Sequence, residues 1–420
     1  MFSKIKQLMS PTNKDLRKRI YFTLFCLAIF SFGTNITVPW ASIVYEELGF
    51  LEIYNLMSGG GLKYFSIFAL GVTPYITAQI ITQLLQMDII PYFKELKEQG
   101  YTGRQKINKI TRYLGIIFAF IQAYVFSYAY MGSHDAMTLL KTSLVITAGT
   151  AFLLWIGDQI TKYGIGNGLS LIIMAGILQS MPTTFITAFN DLVLGETFTK
   201  VVGSVMFGGF VIVYLAVIIG IIWVQLAERR IPIQYANRTH SAMSQNQNFL
   251  PIKLNSAGVI PVIFASSILT IPTTIINFIG NEKAMAFAEK YLSFNTTNTG
   301  LILYMALIFF FGYFYTYLQM NPEEMSKNLN KSGAYIPGVR PGVDTNKYIS
   351  NTLGKLTIVG TIFLMIIAGL PIVFSRISGL PNSVSLGGTG LLIVVGVAIE
   401  TYKQIESSLV SRSHRRGIKK

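Results

Sequence analysis

Residues 201–226 read VVGSVMFGGFVIVYLAVIIGIIWVQL, with no Asp, Glu, Lys, Arg or His, and are bounded by Lys200 before and Glu228-Arg229-Arg230 after. A helix needs about 20 mostly apolar residues to cross the hydrocarbon core of a bilayer. This stretch therefore reads as a membrane span. Working outward in both directions, the same pattern recurs near 20–40, 66–87, 113–132, 142–157, 168–189, 255–279, 300–320, 354–375 and 387–405, with short charged segments between. The fold class that follows is all-α, a polytopic membrane protein with ten transmembrane helices. Composition agrees, since 51% of the 420 residues are hydrophobic and only 13% are charged. A soluble domain carries about 25% charged residues, and a disordered chain is poor in apolar ones, so both classes are excluded.

The net charge of +15 could signal nucleic acid only if it lay on one soluble face. It is distributed differently. With the N-terminus in the cytoplasm and sides alternating through ten spans, the cytoplasmic segments 1–19, 86–112, 158–166, 227–254, 320–355 and 403–420 hold 28 Lys and Arg. The outer segments hold six: Lys63, Lys141, Lys200, Lys283, Lys290 and Arg376. Such a bias is an orientation signal, and it predicts both termini in the cytoplasm. The basic segment 1–19 before an apolar run resembles a secretory signal, but no small-residue cleavage site follows Val38-Pro39-Trp40, so the run is read as a retained first span.

Chemistry-bearing residues are sparse. The lone Cys26 permits no disulfide framework, and His134, His240 and His414 stand far apart, whereas metal ligands need close spacing. No metal site, cofactor or catalytic residue is expected, and no nucleophile–base arrangement marks the chain as an enzyme. Nine of the ten spans, with the ninth counted from 356, contain no Asp, Glu, Lys, Arg or His, and Asp88 and Asp158 stand at span borders. Intramembrane charges usually mark proton relays or ion sites, which weighs against a proton-coupled pump. A carrier built on backbone carbonyls stays open. The glycine-rich Gly164-Ile165-Gly166-Asn167-Gly168 lacks the lysine of a phosphate-binding loop and reads as a tight cytoplasmic turn.

Five spans precede the connection 190–200 and five follow it. Because five is odd, the two halves start on opposite sides, and any repeat between them is inverted. The expected organisation is an N-terminal half 1–189, an outer hinge loop 190–200, and a C-terminal half 201–420 with cytoplasmic loops 227–254 and 320–355 and a basic tail. Before span two, Leu51-Glu52-Ile53-Tyr54-Asn55-Leu56-Met57 has helical apolar spacing that Ser58-Gly59-Gly60-Gly61 interrupts; each glycine costs a helix about 1 kcal/mol relative to Ala. Two readings stand here, a short helix on a mobile break or an amphipathic helix resting on the membrane surface. Span two contains Gly71 and Pro74, and span seven Gly258, Pro261 and Pro272, breakers tolerated where neighbours or water satisfy the freed carbonyls. Their polar residues, Thr77, Gln79, Thr82 and Gln83 in one and Asn255, Ser256, Ser266 and Ser267 in the other, fit interhelical hydrogen bonds or a water-filled path.

Several motifs, in order along the chain, resemble signatures of the SecY family of protein-translocation channels. They are Ser58-Gly59-Gly60 with Phe68-Ala69-Leu70-Gly71, Gly157-Asp158-Gln159-Ile160-Thr161 with Gly164-Ile165-Gly166-Asn167-Gly168, and Leu250-Pro251-Ile252-Lys253-Leu254-Asn255 with Ala257-Gly258-Val259-Ile260-Pro261. Ser332-Gly333-Ala334-Tyr335-Ile336-Pro337-Gly338-Val339-Arg340-Pro341-Gly342 and Gly387-Gly388-Thr389 complete the set.

The resemblance implies two inverted five-helix halves around a central pore, closed by a ring of apolar side chains and a small outer plug. By motif position the ring is Val72, Ile76, Leu169, Ile173, Ile263 and Ile393. The i, i+4 spacing of Val72/Ile76 and Leu169/Ile173 suits it, and an apolar constriction blocks ions by dewetting. The resemblance makes 51–63 the plug, with Leu51, Ile53, Leu56 and Met57 its apolar face and Gly59, Gly60 and Gly61 its hinge. It places Gln83 and Asn255 at a lateral gate and Arg340 at a cytoplasmic partner contact. The implied partners are the small subunits SecE and SecG, the ATPase SecA, the ribosome, preproteins and membrane lipids, and the implied location is a bacterial cell membrane. Two departures stand out: Ser31-Phe32-Gly33 near the end of span one, and a loop 239–250 rich in Thr, Ser, Gln and Asn with no Lys or Arg. They keep a specialised paralogue with restricted clients as an alternative, beside a secondary transporter and a structural scaffold.

Overall fold

The computed structural model describes residues 14–40, 55, 58–86, 90–131, 135–195, 199–235, 249–279, 281–379 and 382–417. Contacts divide the chain into two compact units, Met1–Ser204 with Leu380–Lys420, and Val205–Gly379. Six helices among the described residues are long and apolar enough to cross a membrane: Tyr101–Tyr128, Ala136–Tyr163, Gly168–Leu194, Lys200–Leu226, Asn298–Lys331 and Val343–Ser378. The chain is an all-α polytopic membrane protein.

The first unit holds α1 (Lys14–Gly33), α2 (Thr73–Leu85), α3 (Pro91–Glu98), α4 (Tyr101–Tyr130), α5 (Ala136–Tyr163), α6 (Gly168–Phe189) and α13 (Asn382–Gly417). Its helix starts are written in capping residues. The Asp135 carboxylate accepts from the Thr138 N–H (3.1 Å) and hydroxyl (2.9 Å), and these two bonds hold it below the usual carboxylate range. Asn167 opens α6 by accepting from the N–H groups of Leu169 and Ser170. Both satisfy donors that a helix N-terminus otherwise leaves bare. The connection after α6 continues as a π-helical turn, Asn190–Leu194, with Leu192 buried.

Span two differs from its sequence reading. The stretch 66–87 predicts one continuous helix, yet the helix begins only at Thr73, and residues 58–72 run as successive turns. The chain there stays buried because its backbone groups find partners. The Val38 N–H donates to the Phe65 carbonyl (3.0 Å), the Ile67 N–H to Ile36 (2.9 Å), and the Ser66 N–H to Gly61 (2.9 Å). Leu62, Phe65, Ala69 and Leu70 pack with Ala123, Phe126, Leu139 and Ile146. Phe68 is the pivot of an aromatic column, stacked on Phe30 of α1 at 6.3 Å and on Phe152 of α5 at 6.2 Å. Its ring lies so close to Gly33 that a Cβ there would stand 2.0 Å from it. Pro74 sits in the first turn of α2, where its missing N–H is one of the donors a helix start leaves bare in any case.

The second unit holds most of α7 (Lys200–Leu226), then α8 (Ile260–Ile279), α9 (Glu282–Leu292), α10 (Asn298–Gln319), α11 (Pro322–Lys331) and α12 (Val343–Ser378). The segments expected as loops at 227–254 and 320–355 fold into a small subdomain. Strand β1 (Glu228–Pro232) pairs antiparallel with β3 (Phe249–Lys253), from Glu228↔Lys253 to Pro232↔Phe249. Strand β2 (Gln234–Tyr235) pairs with β4 (Ala334–Tyr335). Ile231 and Ile252 from the hairpin, Leu329 from α11 and Ile349 and Leu353 from α12 form one core. Four short strands in a membrane chain carry too little periodicity to be read from sequence.

Candidate functional site

The glycine-rich turn at 164–168 proves to be a joint of four helices. Thr161 is its centre: the hydroxyl donates to the Gly157 carbonyl and accepts from the Gly168 N–H, both at 2.9 Å. The backbones of α5 and α6 touch here, for a Cβ on Gly168 would lie 1.9 Å from the Gly157 oxygen. Gly166 has φ +86°, a left-handed conformation that glycine adopts without cost. Its N–H donates to Gln404 Oε1 of α13 at 2.7 Å, and the Ile165 N–H donates to Thr23 Oγ1 of α1 at 3.0 Å. Sequence reading found the turn and missed both side-chain partners, which lie 142 and 238 residues away. Thr23, a hydroxyl inside an apolar span, was the one available signal.

That joint fixes the register of α6 against α13. Gly166, in the turn ahead of α6, stands against Thr401, and Gly390 against Ile177 of α6, so α6 and α13 run antiparallel. Ile173 of α6 and Ile393 of α13 are both buried. Leu169, half-buried on the first turn of α6, lies against Gly157, where a Cβ would meet its Cδ2 at 2.7 Å. Val72 is the N-cap of α2 and Ile76 sits one turn on, joined by the Ile76 N–H to Val72 carbonyl bond at 3.2 Å; both are buried. Ile263 belongs to α8 of the second unit and is half-buried.

Of the plug residues, Leu51, Ile53, Leu56 and Met57 lie outside the described residues. The three glycines after them form a tight turn. The Gly60 N–H donates to the Asn55 carbonyl (2.8 Å) and the Gly61 N–H to Ser58 (3.4 Å), with φ +71° at Gly59 and +85° at Gly60. Gly59 rests on α6: a Cβ there would come 3.2 Å from the Gly176 Cα and 3.1 Å from Gln179 Oε1. Gln179 in turn donates to Thr34 Oγ1 at 3.0 Å, a link from α6 to the end of α1 that the sequence did not disclose.

Gln83 lies on α2, and its Oε1 is buried without a hydrogen-bond partner among the described residues. Beside it in sequence, the Thr82 hydroxyl shares a hydrogen bond with the Thr111 hydroxyl at 3.0 Å between α2 and α4. Asn255, in the second unit, donates from Nδ2 to the Gly258 carbonyl at 3.0 Å and so closes the turn that starts α8. Between α4 and α5, Arg112 and Asp158 form an ion pair, which neutralises the acid that flanks the charge-free spans. Arg340 is exposed on a rigid tip. Its carbonyl accepts from Thr345 Oγ1 (2.8 Å), the Gly342 carbonyl accepts from Ser326 Oγ (2.9 Å), and Gly338 and Gly342 take φ +81° and +98°. The backbone is held and the guanidinium is left facing solvent. No group of three or more His, Cys, Asp or Glu side chains able to hold a metal occurs among the described residues.

A family model described as SecY matches residues 66–402. The protein translocase subunit SecY of Bacillus subtilis (strain 168) is 45% identical over 429 residues, covering 99% of each chain. That of Staphylococcus aureus (strain NCTC 8325 / PS 47) is 44% identical over 416 residues, covering 96% of both. Among solved structures, a protein conducting channel superposes with a TM-score of 0.68 at 19% identity, covering 95% of this chain and 94% of its own. Sec61 in a canine ribosome–channel complex from the endoplasmic reticulum gives 0.64 at 18% identity, covering 95% and 94%. At that identity the two structures speak for the fold.

Proposed function

Because the chain belongs to the SecY family and is the pore-forming subunit of a protein translocase, we propose that its polypeptide path is closed by Val72, Ile76, Leu169, Ile173, Ile263 and Ile393. The observation that supports this reading is the antiparallel packing of α6 and α13, with Gly390 against Ile177 and with Ile173 and Ile393 both buried. Aliphatic side chains at a narrow point exclude ions by dewetting and make no sequence demand on the chain that passes. The 51–63 segment is the plug, and Gly59, Gly60 and Gly61 are its hinge. Gln83 and Asn255 border the exit by which apolar segments reach lipid; an unpartnered buried carboxamide oxygen on Gln83 supports a surface that exchanges partners. Counting spans supports two halves, 1–189 and 201–420, of opposite orientation joined at 190–200.

The driving energy comes from outside the chain, whose residues suggest no nucleotide site. Arg340 is the contact for the motor SecA, and the subdomain around it is the docking face for SecA or the ribosome. SecE and SecG complete the complex in a bacterial cell membrane, with both termini cytoplasmic as the 28-to-6 charge bias supports. The test is a stalled preprotein carried by the purified chain with SecE and SecA in liposomes. Crosslinks from the preprotein to positions 76 and 263, dependent on ATP, are expected. Crosslinks confined to lipid-facing positions would refute the assignment of the path.

A further inference from the structure

Helix α9 (Glu282–Leu292) does not cross the membrane and is not used by the path proposed above. It sits between α8, which ends at Ile279, and α10, which begins at Asn298. Two spans that close together in sequence pin the intervening helix to the membrane face at which they emerge. Within α9, Phe287 and Tyr291 stand one turn apart with Ala288 and Leu292 beside them at 3.6 residues per turn, Glu282 and Glu289 fall on the opposite side, and Lys283 and Lys290 flank Phe287. Only Ala288 is buried by the protein, whereas Phe287 is 56% and Tyr291 40% exposed. The two rings pack together at 4.8 Å, and the Lys290 ammonium stands 5.4 Å from the Tyr291 centroid.

The pose of the helix is fixed at both ends. Asn281 caps its start by accepting from the Lys283 and Ala284 N–H groups. At the other end the Thr299 hydroxyl donates to the Lys290 carbonyl. Arg376 of α12 then grips the exit chain, donating to the carbonyls of Asn295 (2.7 Å), Phe294 (2.7 Å) and Thr297 (2.8 Å) and to Asn298 Oδ1 (2.8 Å). A held helix that exposes an aromatic pair at the bilayer edge has the build of an interfacial anchor, since amphipathic aromatic rings favour the headgroup level.

We infer that α9 lies in the headgroup–acyl boundary of the membrane, with Phe287 and Tyr291 inserted between lipids, and that it anchors the rim of the second unit there. The inference rests on α8 and α10 being membrane spans and is independent of the pore assignment. It is tested on the full chain in vesicles of phosphatidylcholine and phosphatidylglycerol, in a Cys26→Ser background, with spin labels at Phe287→Cys, Tyr291→Cys and Ala286→Cys. Labels at 287 and 291 should collide with oxygen in preference to an aqueous nickel chelate and report a depth of about 5–10 Å. The label at 286, on the polar side, should show the reverse preference. Labels at 287 and 291 that sample water as 286 does would overturn the inference in favour of a solvated helix. Labels shielded from both reagents would overturn it in favour of a covering protein surface.

Discussion

Gly168→Ala should loosen the constriction from a distance, through backbone contact alone. The added Cβ would lie 1.9 Å from the Gly157 carbonyl oxygen, where real Cβ atoms keep at least 3.0 Å, and its neighbours are the Gly157 backbone atoms. Nothing flexible can yield, so the start of α6 must retreat from α5 by about 1 Å, a small-to-large insertion that costs about 1–3 kcal/mol. The retreat stretches the 2.9 Å bond from the Gly168 N–H to Thr161. It also carries Leu169 and Ile173 with it, because both ride on the same helix. Helix α13 is held to this joint through Gln404, so the packing proposed between Ile173 and Ile393 is disturbed with it. The assay is ion conductance of the reconstituted chain without preprotein, paired with disulfide formation between cysteines placed at 173 and 393. Conductance should rise severalfold and the crosslink should fall. A variant with wild-type conductance and an intact crosslink would refute the claim that the glycine joint sets the constriction.

Replacing Arg376 by Met strips partners from three carbonyls and the Asn298 amide oxygen. With about 1–3 kcal/mol for each buried group left unpaired, reduced because the site is partly wet, local protection should fall by about 3 kcal/mol. Amide exchange at Thr297 and Gly300 should then quicken about a hundredfold, and a change under twofold would contradict the clamp. Arg340→Glu should lower motor-driven export about tenfold, the worth of one charge-assisted contact, while leaving the melting temperature unchanged, because the tip is built by backbone bonds from Thr345 and Ser326. Equal export by the variant would remove Arg340 from the motor contact. Deleting 52–61 should raise the resting ion leak, measured in planar bilayers; an unchanged leak would favour the reading of 51–63 as a surface helix.

How much of this was legible differs by element. The spans were, because about 20 apolar residues without charge have few alternatives to a membrane helix. Span two was misread over 66–72, where the apolar run is buried by turns that pair with Ile36 and Val38. Hydropathy reports burial and is silent on whether helix hydrogen bonds or distant strand-like ones satisfy the backbone. The subdomain of β1–β4 was hidden for a related reason, since Ile231, Ile252, Ile336 and Ile349 are single apolar residues in polar segments that converge only on folding. Among candidate site residues, Val72/Ile76 and Leu169/Ile173 follow from the family resemblance by motif position, and their i, i+4 spacing is only compatible with it. Gln404, Thr23, Gln179 and Arg376 were not legible, because each acts on a backbone group or hydroxyl far away in sequence.

The sequence by itself determined that this chain lives in a membrane, where its long apolar runs lie, and which segments carry the +15. Those properties are sums over local stretches, and the bilayer reads them locally. Tertiary structure decided which glycines are contacts and which are turns: Gly168 and Gly59 lie against other backbones, and Gly338 and Gly342 face open space. It also decided that α6 and α13 pack antiparallel, with Gly390 against Ile177, since register between antiparallel helices is set by side-chain and backbone contacts at both ends. Periodicity along one helix says which face a residue is on. Only the packing of two helices says what stands opposite.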